Sequence, residues 1–246
     1  MTEGAAAASP RIELDHLVVA ARTLEEGVAW CEATLGVVPE PGGRHALMGT
    51  HNRLLALRSA RYPRSYLEIV AIDPDAPAPG RARWFDLDAP WIQVAIAETP
   101  RLVHGVARTS AIDAATAAFR DAGHDAGIST PAERMTPRGL LRWRIGLRDD
   151  GGRAAGGAVP LLIEWGQAHP CDALPDRGVT LERVELDGVS AAFAARTGVD
   201  ATSMHRQPVS ALVATLNTSR GRVELGSPPT REAGGIAAPR RRVAGR

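Results

Sequence analysis

The chain of 246 residues contains no lysine, so all 29 of its basic residues are arginines. This absence excludes a lysine Schiff base, a pyridoxal phosphate anchor and a phosphate-binding loop of the Walker type. Arginine still offers bidentate recognition of a carboxylate or a phosphate. The composition therefore leaves anion binding open while it excludes chemistry that needs a lysine amine.

Cysteine and long apolar runs are also scarce. Cys31 and Cys171 are far apart and lack the CxxC spacing, which predicts a reducing compartment without a disulfide framework. No apolar run approaches the length that spans a bilayer, and residues 1–10 have neither the basic nor the apolar region of a signal peptide. The net charge of +1 gives no reason to expect nucleic acid or an anionic membrane as a partner. We therefore expect a cytoplasmic protein with neither a nucleic acid nor a membrane as its partner.

The sequence repeats one order of predicted elements, which begins with a strand and a capped helix. In the first copy a strand at 12–20 is followed by a helix that begins after Thr23 and ends at Gly36. Two strands within 41–57 and another at 65–72 complete this copy.

A second copy follows a Pro- and Asp-rich connection at 73–100, whose length is typical of a lid, a binding loop or a linker. It has a strand at 102–109, a helix that stops at Gly123, and strands at 140–147 and 160–165 joined by a hairpin turn at 149–152. A shorter third copy is predicted to pack beside the main cleft or to contribute to a homodimer. The predicted divisions are a disordered tail, a first module with its linker or lid, a second module, a shortened third repeat and a disordered basic tail, at residues 1–11, 12–100, 101–170, 171–228 and 229–246.

Polar residues interrupt the apolar strands of both modules at matching places. His16 and His104 lie on the first strand of each module, and Glu68 and Glu164 lie on the last. Because successive strand residues face opposite sides, His16 shares a side with Leu14 and Val18, and we expect the two histidines to face a shared cleft. The alternatives are a core histidine bonded to a neighbouring strand, and carboxylates that pair with arginine or face water from an edge strand.

Five further polar residues are candidates for substrate contact. The first three lie near glycines, where turn chemistry alone also explains them, and the last two alternate onto one strand face, which a solvated surface also explains. These residues are His45, His51, Asn52, Arg142 and Arg144.

The tandem strand-helix-strand-strand-strand units resemble the glyoxalase-like domain family of the vicinal oxygen chelate superfamily. The resemblance covers roughly residues 12–170. The segments that carry it are Leu-Asp-His-Leu-Val-Val-Ala at 14–20, Gly-Arg-His at 43–45, Gly-Thr-His-Asn-Arg-Leu at 49–54, Tyr-Leu-Glu at 66–68 and Leu-Ile-Glu-Trp at 162–165.

The resemblance implies an α+β fold in which paired βαβββ modules form curved mixed sheets around a cleft. It also implies a divalent metal ion (Zn, Ni, Co, Mn or Fe) held by His16, Glu68, His104 and Glu164, with the two glutamates also moving protons. The function implied is a metal-dependent lyase or isomerase that chelates a small oxygenated substrate through two oxygens. The alternatives are a protein of the same superfamily that sequesters a small molecule without catalysis, and an iron-dependent dioxygenase.

Overall fold

The computed structural model describes residues 10–197, 199–201 and 211–228, so residues 1–9 and 229–246 of the two predicted tails lie outside the described part. The first module contains the predicted elements in the predicted order. They are β1 (Ile12–Ala20), α1 (Leu24–Leu35), β2 (Glu40–His45), β3 (Thr50–Ala56) and β4 (Tyr66–Ile72). The Thr23 hydroxyl caps the first turn of α1, and Gly36 ends the helix with a φ of 80°.

The connection at 73–100 is more ordered than its composition predicts. It contains a short 3₁₀ turn (Trp84–Asp86) and the helix α2 (Pro90–Glu98). Proline is favourable at the first position of a helix, and Ile92 and Ile96 bury one side of α2. The connection is therefore held in place by buried side chains.

The second module repeats the arrangement, with one strand that the sequence pattern missed. Its elements are β5 (Arg101–Thr109), α3 (Ile112–Asp121), β6 (Ile128–Thr136), β7 (Gly139–Leu147) and β8 (Leu161–Trp165). The missed strand is β6, which is polar, contains Pro131 and lies at a sheet edge, where proline is tolerated. A turn forms at the predicted place, where the Arg148 carbonyl accepts a hydrogen bond from the Gly151 N–H, and the connection then continues through a 3₁₀ turn (Ala154–Gly157) before β8.

The third repeat forms a separate four-stranded sheet. Its elements are β9 (Thr180–Leu186), α4 (Ala191–Arg196), β10 (Asp200–Ala201), β11 (Leu212–Thr218) and β12 (Gly221–Gly226). None of the helices in the described part of the chain has the length and apolar character that a bilayer crossing requires.

The first two modules share one eight-stranded sheet, in the order β2-β3-β4-β1-β5-β8-β7-β6. The strands β1 and β5 join the modules as antiparallel neighbours. The sheet curls until its edges meet, since Arg134 on β6 places a guanidinium nitrogen 3.4 Å from Asn52 Oδ1 on β3. The curled sheet encloses an inner face, and the predicted α+β fold of paired curved modules is confirmed.

The sequence suggested that the third repeat packs beside the cleft. In the structure it covers the outer face of this sheet. Leu17, Val19 and Leu67 form one buried cluster with Leu181 and Leu212 of the third repeat. Odd-numbered residues in this part of β1 face outward, so burying them completes the hydrophobic core of the first module.

Candidate active site

A buried histidine and a buried glutamate lie side by side on the inner face. The strands β1 and β4 are parallel neighbours with Val18 opposite Glu68. His16 Nε2 is 3.5 Å from Glu68 Oε2, and the two residues are only 4% and 5% exposed. Because burying unpaired charge is costly, the two groups are stable here only as partners.

Asp15 is the second carboxylate that contacts His16. The pairing of β1 with β5 shifts register between Leu14 and His16, so Leu14 packs outward while His16 faces inward. The shift breaks the simple alternation predicted for this strand, since Leu14 and His16 no longer share a side. Asp15 Oδ1 accepts a hydrogen bond from His16 Nδ1 at 2.6 Å, which leaves Nε2 of the same ring facing Glu68.

Two residues from the end of the second module complete the environment of Asp15. Its Oδ2 accepts hydrogen bonds from His169 Nε2 at 2.8 Å and from Trp165 Nε1 at 3.1 Å. His169 Nδ1 accepts from the Cys171 backbone N–H, so the proton of this ring lies on the nitrogen that faces Asp15. Asp15 is therefore a fully buried carboxylate with three donors, and it fixes the orientation of His16.

Asn52 holds the other oxygen of Glu68. Its Oδ1 accepts from the Gly43 backbone N–H at 2.7 Å, which orients the amide, and its Nδ2 donates to Glu68 Oε1 at 2.6 Å. The same nitrogen is 3.3 Å from His45 Nε2, and His45 Nδ1 is 3.1 Å from Thr50 Oγ1. A neutral His45 ring can satisfy all of these contacts if it donates a hydrogen bond to Thr50 through Nδ1 and accepts one from Asn52 at Nε2.

His16 and His45 differ in charge at neutral pH, because the first is a cation and the second is a neutral ring. Burial alone would lower the pKa of His16, but its bonds to Asp15 and Glu68 raise that pKa to about 9. Burial alone would raise the pKa of Glu68, but the hydrogen bond from His16 and the neighbouring imidazoles hold it at about 2. Burial lowers the pKa of His45 to about 4. At neutral pH the site therefore contains an imidazolium between two carboxylates, beside a neutral histidine.

The pKa values predict that stability is greatest near pH 6.5. Burial lowers the pKa of His45 to about 4 and that of His104 to about 3, so below pH 6.5 the unfolded chain binds protons that the folded chain refuses. Above pH 6.5 the unfolded chain loses a proton that His16 keeps until about pH 9. The free energy of unfolding from urea titrations should fall in both directions, by about 1 kcal/mol or more per pH unit on the acid side.

His16→Gln serves as the control for this pH profile. It should remove the contribution of His16 to the fall above pH 6.5, while the contributions of His45 and His104 on the acid side remain. A stability that stays constant from pH 4.5 to 6.5 in the unsubstituted protein would contradict the neutral state of the two buried histidines.

Aromatic rings form the walls of the site. Tyr66 stacks on His16 with ring centroids 4.5 Å apart, and Trp84 contacts the edge of His45 at 5.1 Å. Together with Trp143 and Trp165 they enclose a cavity of about 30 Å³ beside Glu68. This volume admits the reactive end of a small molecule and little more.

Four of the residues predicted from the sequence meet here: His16, His45, Asn52 and Glu68. His51 does not, because it neighbours Asn52 on β3 and so points to the other side of the sheet, where its Nδ1 is 4.0 Å from Asp73 Oδ1. Strand alternation on β3 therefore places Asn52 in the site and His51 on the opposite side of the sheet.

His104 lies in a second, smaller cavity of about 10 Å³. Its Nδ1 bonds the Gly105 carbonyl, and its Nε2 has no hydrogen-bond partner among the described residues. Trp84 and Phe85 line both this cavity and the one at His16, so the two aromatic side chains stand between them. His104 therefore does not join His16 and Glu68.

Glu164 faces away from the site. On β8 the inward side chains are Leu161, Ile163 and Trp165, so Glu164 points to the outer face. There it accepts a hydrogen bond from the Ile112 backbone N–H at 2.8 Å and caps the start of α3.

The two arginines predicted to bind substrate also lie on that outer face. Arg142 pairs with Glu133, and Arg144 pairs with Asp113 of α3. With Glu164 they line an open groove of about 460 Å³ outside the sheet. Their placement corrects the expectation that they reach into the cleft.

The predicted four-ligand metal site is therefore not assembled, and no group of three or more His, Cys, Asp or Glu side chains in the described ranges is arranged to hold a metal ion. His16 and His45 both lie within 4 Å of Glu68. However, Asn52 Nδ2 lies between His45 and Glu68 and donates to both, so an N–H donor occupies the place that a cation needs. The residues present therefore do not fit a divalent ion.

Three residues of the site were not predicted from the sequence. Asp15 was not among the predicted site residues, because the register shift in β1 that lets it contact His16 cannot be read from strand alternation. His169 lacks metal-ligand spacing, although a histidine shortly after a buried strand was a usable signal. Arg134 lies on β6, which was not recognised as a strand.

Two solved structures were found to resemble this chain, and the first of them supports the fold. A hypothetical protein from Staphylococcus aureus has 13% identity and a TM-score of 0.52, with 88% of this chain and 86% of that chain covered. Methylmalonyl-CoA epimerase from Mycobacterium tuberculosis has 20% identity and a TM-score of 0.38, with 65% and 91% covered. No curated protein matches the sequence.

The family is shown by the sequence itself. The family model described as Glyoxalase-like domain matches residues 14–202, which include both modules and the start of the third repeat. The matched range contains every residue of the inner site, from Asp15 to His169. The chain therefore belongs to the glyoxalase-like domain family.

Proposed function

We propose that the protein is an isomerase or lyase that moves a proton on a small carbonyl compound, with Glu68 as the base and His16 as the acid. The observation that carries the proposal is the buried array in which His16 lies between Asp15 and Glu68. Acid and base groups with opposed pKa shifts, placed together in a closed aromatic cavity, are typical of proton-transfer sites.

The step uses the two atoms that face each other in the cavity. Glu68 Oε2 removes a proton from a carbon next to the substrate carbonyl, and the electron pair of that C–H bond moves into the carbonyl group. The oxygen that gains negative charge accepts a hydrogen bond, and then the proton, from His16 Nε2. In an isomerisation a proton is then added to the former carbonyl carbon, and a hydroxyl group on the carbon that was deprotonated first loses its own proton to become the new carbonyl. In an elimination the electron pair instead expels a leaving group from the carbon beta to the carbonyl.

The remaining contacts assign distinct supporting roles. Asn52 holds Glu68 Oε1, so that Oε2 is the oxygen left to take the proton. Asp15 keeps Nδ1 of His16 protonated and stabilises the imidazolium. A substrate oxygen that takes the hydrogen bond of His16 weakens the hold of His16 on Glu68, which raises the basicity of Glu68 when substrate is bound.

Hydrogen exchange with solvent tests the proposal. Protein treated with EDTA is mixed in D₂O with pyruvate, hydroxyacetone and glyceraldehyde, and proton NMR follows deuterium entry at the carbon beside the carbonyl. We expect exchange above the buffer rate for at least one compound, because Glu68 and His16 suffice for this step. Parallel samples receive Zn, Ni, Co, Mn or Fe.

The other outcomes identify the competing functions. Exchange that requires an added divalent ion would replace this proposal with a metal-dependent lyase or isomerase. Ligand binding without exchange under any condition would indicate a sequestering protein, and oxygen uptake with iron and a catechol would indicate a dioxygenase.

A further inference from the structure

Arg134 is a cation at the edge of the active-site cavity. Its strand, β6, alternates Ala132 and Arg134 toward the inner face with Glu133 and Met135 toward solvent. The guanidinium lines the same cavity as His16 and Glu68, and one of its terminal nitrogens is 3.4 Å from Asn52 Oδ1. Asn52 thus contacts both Arg134 and Glu68.

The guanidinium of Arg134 has no anionic partner among the described residues, and its buried Nε has no hydrogen-bond partner there. The arginines of the next strand differ, since Arg142 and Arg144 both form ion pairs with carboxylates. A guanidinium carries five donors in a planar fork suited to a carboxylate. Arg134 therefore has donors left over on the side of the cavity.

The backbone opposite Arg134 is shaped to admit the guanidinium. A Cβ atom added to Gly43 on β2 would lie 2.7 Å from the nearest terminal nitrogen of Arg134, closer than van der Waals contact allows. The two edges of the curled sheet thus meet at a glycine that leaves space for a charged group. Gly43 therefore leaves room for the guanidinium group where the two edges meet.

We propose that Arg134 binds the carboxylate of the substrate, which makes the substrate a small 2-oxo or 2-hydroxy acid. The inference rests on the proposed function, and it adds the substrate class. With the carboxylate on Arg134, the neighbouring carbonyl oxygen lies toward His16 and the next carbon toward Glu68. His16 is already paired with Asp15 and Glu68, so Arg134 supplies the positive charge that faces the bound carboxylate.

Binding of a matched pair of probes tests the assignment. Pyruvate carries the carboxylate, and pyruvamide is its uncharged analogue of nearly the same shape. Calorimetry should show that the unsubstituted protein binds pyruvate at least tenfold more tightly than pyruvamide. Arg134→Gln should raise the Kd for pyruvate by about 10- to 100-fold, the loss typical of a charge-assisted pair, and leave pyruvamide unchanged.

Arg142→Gln is the matched control, because Arg142 lies on the adjacent strand but faces outward, and its Kd for pyruvate should stay within twofold. Glu68→Gln separates the two proposals, because it removes the base but leaves the carboxylate site. Preference for pyruvate that persists in Glu68→Gln supports Arg134 even if no turnover is found. Equal binding of the two probes, no binding of either, or an unchanged Kd in Arg134→Gln would overturn the inference.

Discussion

Glu68→Gln is expected to reduce the rate of substrate deuterium exchange by about 10²- to 10⁴-fold, whereas Glu164→Gln is expected to change it less than twofold. Each glutamate lies on the last strand of its module, so the two look equivalent in the sequence. Only Glu68 faces the cavity, with Oε2 3.5 Å from His16 Nε2, while Glu164 caps α3 on the outer face. Glutamine keeps the size of Glu68 and an oxygen acceptor but cannot take the proton.

A second measurement on the same variants does not depend on turnover. Removing the Glu68 charge takes away one of the two carboxylates that raise the pKa of His16 to about 9. The NMR titration of His16 should therefore move to lower pH in Glu68→Gln and stay in place in Glu164→Gln. Equal rate losses in the two variants would contradict the assignment of the base, and an unmoved His16 titration would contradict the contact itself.

Asp15→Asn is expected to lower the free energy of unfolding by about 3 to 5 kcal/mol. Asp15 is fully buried and accepts hydrogen bonds from His16, His169 and Trp165. Asparagine turns one accepting oxygen into an N–H donor that faces another donor, and it leaves the His16 imidazolium without its closest anion. The loss is large because the groups left unpaired cannot reach water.

Urea titrations of Asp15→Asn and of two comparison variants measure the size of this loss in the free energy of unfolding. Trp165→Phe removes one of the three donors and keeps the aromatic wall, so its cost should be about 1 kcal/mol. Asp113→Asn breaks a surface ion pair with Arg144, in which the Asp113 side chain is 74% exposed, and should cost less than about 0.5 kcal/mol. A loss in Asp15→Asn no greater than that in Asp113→Asn would contradict a structural role for the buried carboxylate.

The sequence by itself determined the tandem modules, and with them the family and the fold. Apolar alternation marked β1 and β4, and a capping threonine and a terminal glycine marked the ends of α1. These signals are local, since each depends on residues within one element. For the same reason the sequence identified His16 and Glu68 as polar interruptions of buried strands.

Side-chain direction across modules was decided by the tertiary structure. The pattern at 160–165 predicted an acidic residue within an apolar strand. Which side of β8 faces the cleft depends on how β8 pairs with β5 and β7. This pairing directs Glu164 outward. A register shift in β1 brought Asp15 to His16, and the closure of the sheet brought Arg134 to Asn52. Pairing, register and curvature are relations between distant strands, so no single segment encodes them, and they decided which of the predicted residues form the site.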